Sequence, residues 1–197
     1  MFYLGSGAEY DKRYPIVNVK EEEIDKSIPI DQYGLMKYIV GKDIENSNNI
    51  YNLRLFGIYG KYENYRQRFI SNTICKVLFN IPISINQNVY FDYLYIDDFL
   101  RVLNELIYSN SIQYHTYNVC SGKKISLIEI CDIVFNISGT KQNIFIKKSG
   151  LQNEYTACNN RLFNKFPSIV ITDHRLAIIS LFNWYKSYLS NIDKSEL

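Results

Sequence analysis

From its second residue almost to its last, the chain alternates short runs rich in aromatic and β-branched residues with longer runs of helical spacing. "FYLG", "YNLRLFGIY", "ISIN", "FDYLYI", "TYNVCSG" and "NIFIKK" read as strands, because such side chains suit a pleated, half-buried surface. Between them, "DQYGLMKYIVGKDIE", "RQRFISNTICKVLFN", "DDFLRVLNELIYS", "LIEICDIVFNIS" and "DHRLAIISLFNWYKSYL" read as helices. Strands separated by helices are joined by crossovers, so the pattern predicts α/β architecture with a largely parallel sheet. Asp31, Asp97 or Asp98, and Ser126 stand where helix caps are expected, and the last helix is predicted to start at Thr172. Residues 8–30 interrupt the alternation with Pro15, Pro29 and the acidic run Glu21–Glu23. A connection of that length inside a compact domain is more often functional than not.

Composition narrows the partners. The 197 residues are 47% hydrophobic and 21% charged, enough for one substantial packed domain. A net charge of +2 gives no bulk attraction to nucleic acid or to a membrane surface. The 18 tyrosines scatter without a basic cluster beside them, which favours core and surface filling over a base-stacking platform. No apolar run is long enough to span a bilayer, and no charged-then-apolar leader opens the chain. Cys75, Cys120, Cys131 and Cys158 lack metal-ligand spacing and read as reduced thiols of a cytoplasmic protein. His115 and His174 have no partner at catalytic spacing and are expected in surface or capping roles.

Tyr33 and Lys37 lie four residues apart and share one helix face. A phenol has an ordinary pKa of about 10, and a nearby ammonium favours its ionised form, which suits proton transfer near neutrality. In a chain this rich in tyrosine and lysine the spacing also arises by chance, so two ordinary helix residues are the alternative. Ser6 stands directly after the strand "FYLG", and a hydroxyl at the C-terminal end of a parallel strand sits where open α/β sheets bind ligands.

In order, "LGSGAEY", "DQYGLMK", "NLRLFGIYG", "FDYLYIDDFLRVL" and "YNVCSGKKISLIEI" resemble the extended short-chain dehydrogenase/reductases, specifically the NAD-dependent sugar-nucleotide epimerases and dehydratases. The resemblance covers nearly the whole chain. It implies the C-terminal portion of a doubly wound Rossmann-like parallel sheet plus a small α/β substrate-binding lobe. Residues 1–60 and about 90–120 would form the remainder of the sheet; about 61–90 and 121–197 would form the lobe. By position, Ser6 would hydrogen-bond the substrate oxygen, Tyr33 would be the acid/base, and Lys37 would bind the nicotinamide ribose and favour the ionised phenol. Leu55 would be a further cofactor contact. Substrate positions would be Gly57, Arg66, Arg68 and Phe91.

Departures from the family pattern narrow the implied reaction. Gly7 and Ala8 stand where 4,6-dehydratases carry Asp-Glu, and neither can transfer a proton. Ala8 also replaces the cysteine of GDP-fucose synthases, and no later histidine matches theirs. What remains is epimerisation at one carbon or reduction of a keto-sugar, with NAD or NADP as cofactor and a nucleotide-sugar as substrate. Gly57 replaces the family's Asn. Phe91 replaces the Arg that often pairs with the diphosphate, which would move that task to Arg66 or Arg68. For both arginines a solvated surface charge is the alternative.

The family begins with a strand, a G-x-x-G-x-x-G turn and a helix whose N-terminus receives the cofactor pyrophosphate. No glycines here are spaced for that turn, so strands 1–4 of the family fold are expected to be absent and the isolated chain to bind NAD weakly or not at all. The strand at Phe2 would then present an open edge. The helix at Tyr33 would lack part of its packing partner, and a homodimer or a complementing N-terminal fragment would cover both. The competing reading is a non-catalytic remnant, or a binding module, that retains part of the nucleotide-sugar pocket.

Overall fold

A computed structural model describes residues 1–140 and 142–197. Among them the chain runs β1 (Phe2–Ser6), β2 (Ile16–Val19), α1 (Gln32–Glu45), β3 (Tyr51–Leu55), β4 (Gly57–Tyr59), α2 (Phe69–Leu78), β5 (Ile83–Ile85), β6 (Tyr90–Tyr95) and α3 (Ile96–Tyr108). It continues through β7 (Thr116–Val119), β8 (Lys124–Ser126), α4 (Leu127–Ser138), β9 (Ile144–Ile146), β10 (Tyr155–Ala157), α5 (Asn160–Lys165) and α6 (His174–Ser187).

The expected α/β architecture with parallel pairing is what forms. One sheet has the order β1-β3-β7, parallel throughout, with Ser6 opposite Leu55 and Leu55 opposite Val119. The second has the order β2-β10-β6-β4, also parallel, with β8 added antiparallel to β6. "YNLRLFGIY", which reads as one strand, is broken at Phe56, and its halves β3 and β4 belong to different sheets. That break opens a cleft beside Ser6.

Two larger cores, with a small third one of Tyr10, Ile16 and Ile24, hold the sheets. Leu53, Tyr117 and Val119 of the first sheet bury against Phe99, Val102 and Leu106 of α3 and Leu162 of α5. Ile70, Ile74, Val134, Ile178 and Leu181 knit α2, α4 and α6 together. Each such side chain contributes about 1.5–3 kcal/mol on leaving water.

The caps follow the expectation in part. Asp31 accepts from the Gly34 N–H at 2.8 Å, and Ser126 forms a reciprocal capping box with Glu129. Neither Asp97 nor Asp98 caps α3, whose N-cap position is Tyr95, with no side-chain cap. Asp98 is instead fully buried and accepts from the Thr172 N–H (3.1 Å) and hydroxyl (2.8 Å), tying α3 to the chain entering α6. That helix starts at His174, with Asp173 as its cap.

Among the described residues no strand pairs with the outer edge of β1, and Leu4 there is exposed. Leu35, Met36 and Ile39 of α1 are exposed as well, so the helix carries an uncovered apolar face. Among the described residues no helix is long and apolar enough to cross a membrane.

Candidate active site

The first sheet ends at Ser6, where the chain turns into a 3-10 segment, Gly7–Glu9. Ser6 Oγ accepts from the Ala8 N–H at 3.1 Å, and the Ser6 N–H donates to Glu9 Oε1 at 3.1 Å. Both ends of the turn are thereby satisfied by its own side chains. Beneath it lies a buried polar network. Arg54 Nε donates to Glu9 Oε2 at 2.6 Å, and both side chains are fully buried. Asn52 Nδ2 donates to the same oxygen at 3.0 Å. Arg54 also reaches the Tyr10 hydroxyl (3.1 Å) and the Glu21 carbonyl (3.2 Å), and the Tyr10 hydroxyl donates to Asn118 Oδ1 at 2.9 Å. Burial pushes the Glu9 carboxyl up, against the charge and hydrogen bonds of Arg54, and pushes the Tyr10 phenol up to about 12.

Asp31 starts α1 on this turn. Gly34 packs so closely that a side-chain carbon there would lie 2.7 Å from the Ala8 carbonyl oxygen. Tyr33, the residue before it, is therefore brought to the Ser6 side of the cleft. Lys37 donates to the Leu4 carbonyl at 2.8 Å, 4.5 Å from the Tyr3 ring centre and 5.9 Å from that of Tyr33.

The cleft encloses a cavity of about 930 Å³. Of the residues singled out in the sequence, Ser6, Tyr33, Leu55, Gly57, Arg68 and Phe91 line it. Lys37 lies one turn along α1, behind that wall. Arg66 is not on the wall either: its exposed guanidinium pairs with Glu196. Arg68 has no carboxylate partner within ion-pair distance among the described residues. Gly57 leaves no room for a side chain, because its first carbon would stand 2.7 Å from the Asp92 carbonyl oxygen.

Among the lining residues that sequence reasoning did not single out, three bear on the chemistry. Tyr155 comes from β10, three residues long. Its ring packs on Phe56 and Phe91, with centroids at 4.9 and 5.9 Å, and its hydroxyl fills the space beside Gly7 and Ser6. Burial raises its pKa, outweighing the neighbouring Ser6 hydroxyl, so it stays a protonated donor. Lys12 places its ammonium 6.0 Å from the Tyr33 ring centre and 5.7 Å from that of Tyr155. Glu63 accepts hydrogen bonds from the Ser71 hydroxyl and the Gly60 N–H, and burial nonetheless raises its carboxyl to about 7. Lys12 follows Ser6 closely in "GSGAEYDK", a nearness that marks it as a neighbour of the strand end; Tyr155 and Glu63 carry no such local signal. Among the described residues no cluster of His, Cys, Asp and Glu is arranged to hold a metal.

A cavity of this size suits a ligand with both apolar and polar parts. It presents a hydroxyl (Ser6), a phenol (Tyr33), a protonated phenol donor (Tyr155) and two cations (Lys12, Arg68).

Residues 1–120 match the NAD dependent epimerase/dehydratase family. No curated protein matches the chain. Among solved structures, the UDP-glucose 4-epimerase of Thermotoga maritima, solved with UDP-glucose, superimposes with a TM-score of 0.82 at 16% identity, covering 95% of this chain and 63% of that one. The UDP-glucuronic acid 4-epimerase of Bacillus cereus, solved with UDP-glucuronic acid and NAD, gives 0.80 at 18% identity, covering 95% and 61%. The dTDP-glucose 4,6-dehydratase of Bacillus anthracis, solved with NAD, gives 0.79 at 14% identity, covering 96% and 62%. The chain thus spans less than two thirds of the length of these solved relatives.

Proposed function

Because the chain belongs to the NAD dependent epimerase/dehydratase family, we propose that it carries the substrate side of a nucleotide-sugar epimerase or keto-sugar reductase, with Ser6, Tyr33 and Lys37 as its reacting site. The observation that carries this reading is the joint placement of Ser6 and Tyr33 on the wall of one large cavity that Arg68 and Phe91 also line. In it, the Ser6 hydroxyl hydrogen-bonds one sugar oxygen while Tyr33 removes or returns the proton on that oxygen. Gly57 and Phe91 shape the sugar end. Arg68 is the cation for the diphosphate, and the Glu196 pairing of Arg66 argues against a share for it. Residues about 61–90 and 121–197 form the substrate lobe, and β2, β4 and β6, from the segments assigned to the Rossmann-like sheet, join its strands β8 and β10 in one sheet. The four buried free cysteines fit a reducing, cytoplasmic setting.

A nicotinamide cofactor is implied by the family, and the residues present fit one end of it. Tyr33, Lys37 and Leu55 would hold the ribose and nicotinamide, and an ammonium with three donors has two to spare beyond the Leu4 carbonyl. When bound, the nicotinamide supplies hydride exchange at the sugar carbon. The pyrophosphate end has no counterpart: among the described residues no glycine-rich turn opens a helix. Gly5 and Gly7 are not open cradles either, since added side-chain carbons would lie 2.0 Å from Asn52 Oδ1 and 2.3 Å from the Tyr155 hydroxyl. This favours, as a second reading, a binding module that acts catalytically only with a complementing fragment on the β1 edge and α1 face, or as a homodimer through them.

Calorimetric titration with UDP-glucose, dTDP-glucose and GDP-mannose tests the pocket; absence of binding to all three refutes it. Titration with NADH, followed by nicotinamide fluorescence, separates the readings: the binding module predicts no saturation, and micromolar affinity supports a self-sufficient enzyme.

A further inference from the structure

The buried carboxylate under the Ser6 turn has more partners than a helix cap requires. We propose that Glu9, held by Arg54, is the positioning residue of Ser6, fixing both the strand that bears Ser6 and the helix that bears Tyr33. The inference rests on the reading of Ser6 as the contact to the substrate oxygen.

Three elements meet on this one carboxylate. From β1 the Ser6 N–H donates to Oε1 at 3.1 Å. From β3 come Arg54 Nε at 2.6 Å and Asn52 Nδ2 at 3.0 Å, both on Oε2. From α1 comes Gly41, where a side-chain carbon would stand 2.6 Å from Oε2; the same carbon at Gly5 of β1 would stand 2.5 Å from Oε1. The carboxylate thus fills a slot that closes only because both neighbouring backbones lack a side chain.

A buried ion pair is a poor source of stability, because desolvation offsets the attraction. A capping box on a surface turn needs no guanidinium. What a carboxylate offers is several acceptor directions at once, so one group satisfies β1 and β3 while touching α1. Arg54 keeps it charged and aimed, and is itself held by the Tyr10 hydroxyl and the Glu21 carbonyl. Loss of the acceptor frees the Ser6 N–H and lets the turn rotate, carrying the Ser6 hydroxyl off the cavity wall.

The test compares two variants that both lack the buried charges. Glu9→Gln/Arg54→Met keeps an oxygen for the Ser6 N–H, whereas Glu9→Ala/Arg54→Met does not. Circular dichroism and melting curves establish that both fold. Two readouts follow on the full chain: amide exchange at Ser6 by NMR, and affinity for UDP-glucose relative to UDP. The wild type and the Gln/Met variant should protect the Ser6 amide equally, while the Ala/Met variant exchanges at least about tenfold faster, the equivalent of one lost hydrogen bond. The advantage of UDP-glucose over UDP should survive within about twofold in the Gln/Met variant and vanish in the Ala/Met variant. Equal Ser6 exchange in the two variants overturns the proposal, as does equal sugar-dependent affinity in both. If wild type shows no preference for UDP-glucose over UDP, the reading of Ser6 as a sugar contact fails, and amide exchange still decides the positioning by Glu9.

Discussion

Glu63 makes the stability of this protein depend on pH in a direction opposite to that of a salt-bridged acid. Its carboxyl lies in the cavity wall, and burial lifts it from 4.5 to about 7, despite hydrogen bonds from Ser71 and the Gly60 N–H and the charge of Arg68. Below pH 4.5 the folded and unfolded chains both hold the proton, and the group contributes its full stability. As pH rises towards 7 the unfolded chain releases the proton and the folded chain retains it, so that contribution is lost progressively; above 7 the folded chain must ionise a half-buried group. At about 1.4 kcal/mol per tenfold, a carboxyl raised from 4.5 to about 7 costs about 3 kcal/mol of stability by pH 8.5. Glu63→Gln keeps the acceptor for Ser71 and cannot ionise. Urea unfolding should give the variant and wild type equal stability near pH 4.5 and a variant more stable by about 3 kcal/mol at pH 8.5. The other titrating groups are common to both proteins and cancel. A difference that stays constant from pH 4.5 to 8.5, or a variant less stable at pH 8.5, would refute the reasoning. Direct NMR titration of the Glu63 carboxyl should give a midpoint near 7.

Other perturbations follow from the same geometry. Gly34→Ala drives a methyl towards the Ala8 carbonyl, which is backbone and cannot swing aside; it should cost about 1–3 kcal/mol, read as a lower urea midpoint. Asp98→Ala strips two hydrogen bonds from Thr172 at a fully buried site and should cost about 2–4 kcal/mol in the same assay; a loss under about 0.5 kcal/mol would mean the contact is incidental. Tyr33→Phe removes an exposed hydroxyl and should leave the midpoint within about 0.5 kcal/mol, while abolishing turnover in an enzyme completed with a dinucleotide-binding fragment. Arg68→Gln should weaken nucleotide diphosphate binding about tenfold or more, whereas Arg66→Gln should change it less than about twofold.

Most strands and helices legible in the sequence are long enough to show a period, while β5 and β9, three residues each, stood out by their isoleucines. The β1, α1, α2, β6, α3 and α4 segments each run at least five residues, and their cap or apolar pattern marks them. β2 lay unread in the polar connection, and β8 and β10, as short as β5 and β9, lack the paired isoleucines that mark those two. They form by pairing with β6 and with each other's neighbours, a tertiary cause that leaves no local trace. The same division runs through the site. Ser6 and Tyr33 were legible because a strand end and a helix start announce themselves. Tyr155 arrives on an unread strand, and Glu63 from the loop before α2. Asp98 was misread because an acid at a helix start ordinarily caps the free N–H groups of its own helix; here the carboxylate pairs with the Arg101 side chain one turn on and accepts from Thr172, far along the chain.

Glu9 shows a different limit. In "GSGAEY" it reads as one acid in a turn, and its place in the sequence says nothing of Arg54, 45 residues on. Only the register of β1 on β3, which sets Gly5 opposite Arg54, and the two glycines that admit a carboxylate between strand and helix make it a shared anchor. Ser6 and Tyr33 on the cavity wall were therefore readable from the sequence. The device that holds them there was not, because it is written in three segments that meet only once the sheet has formed.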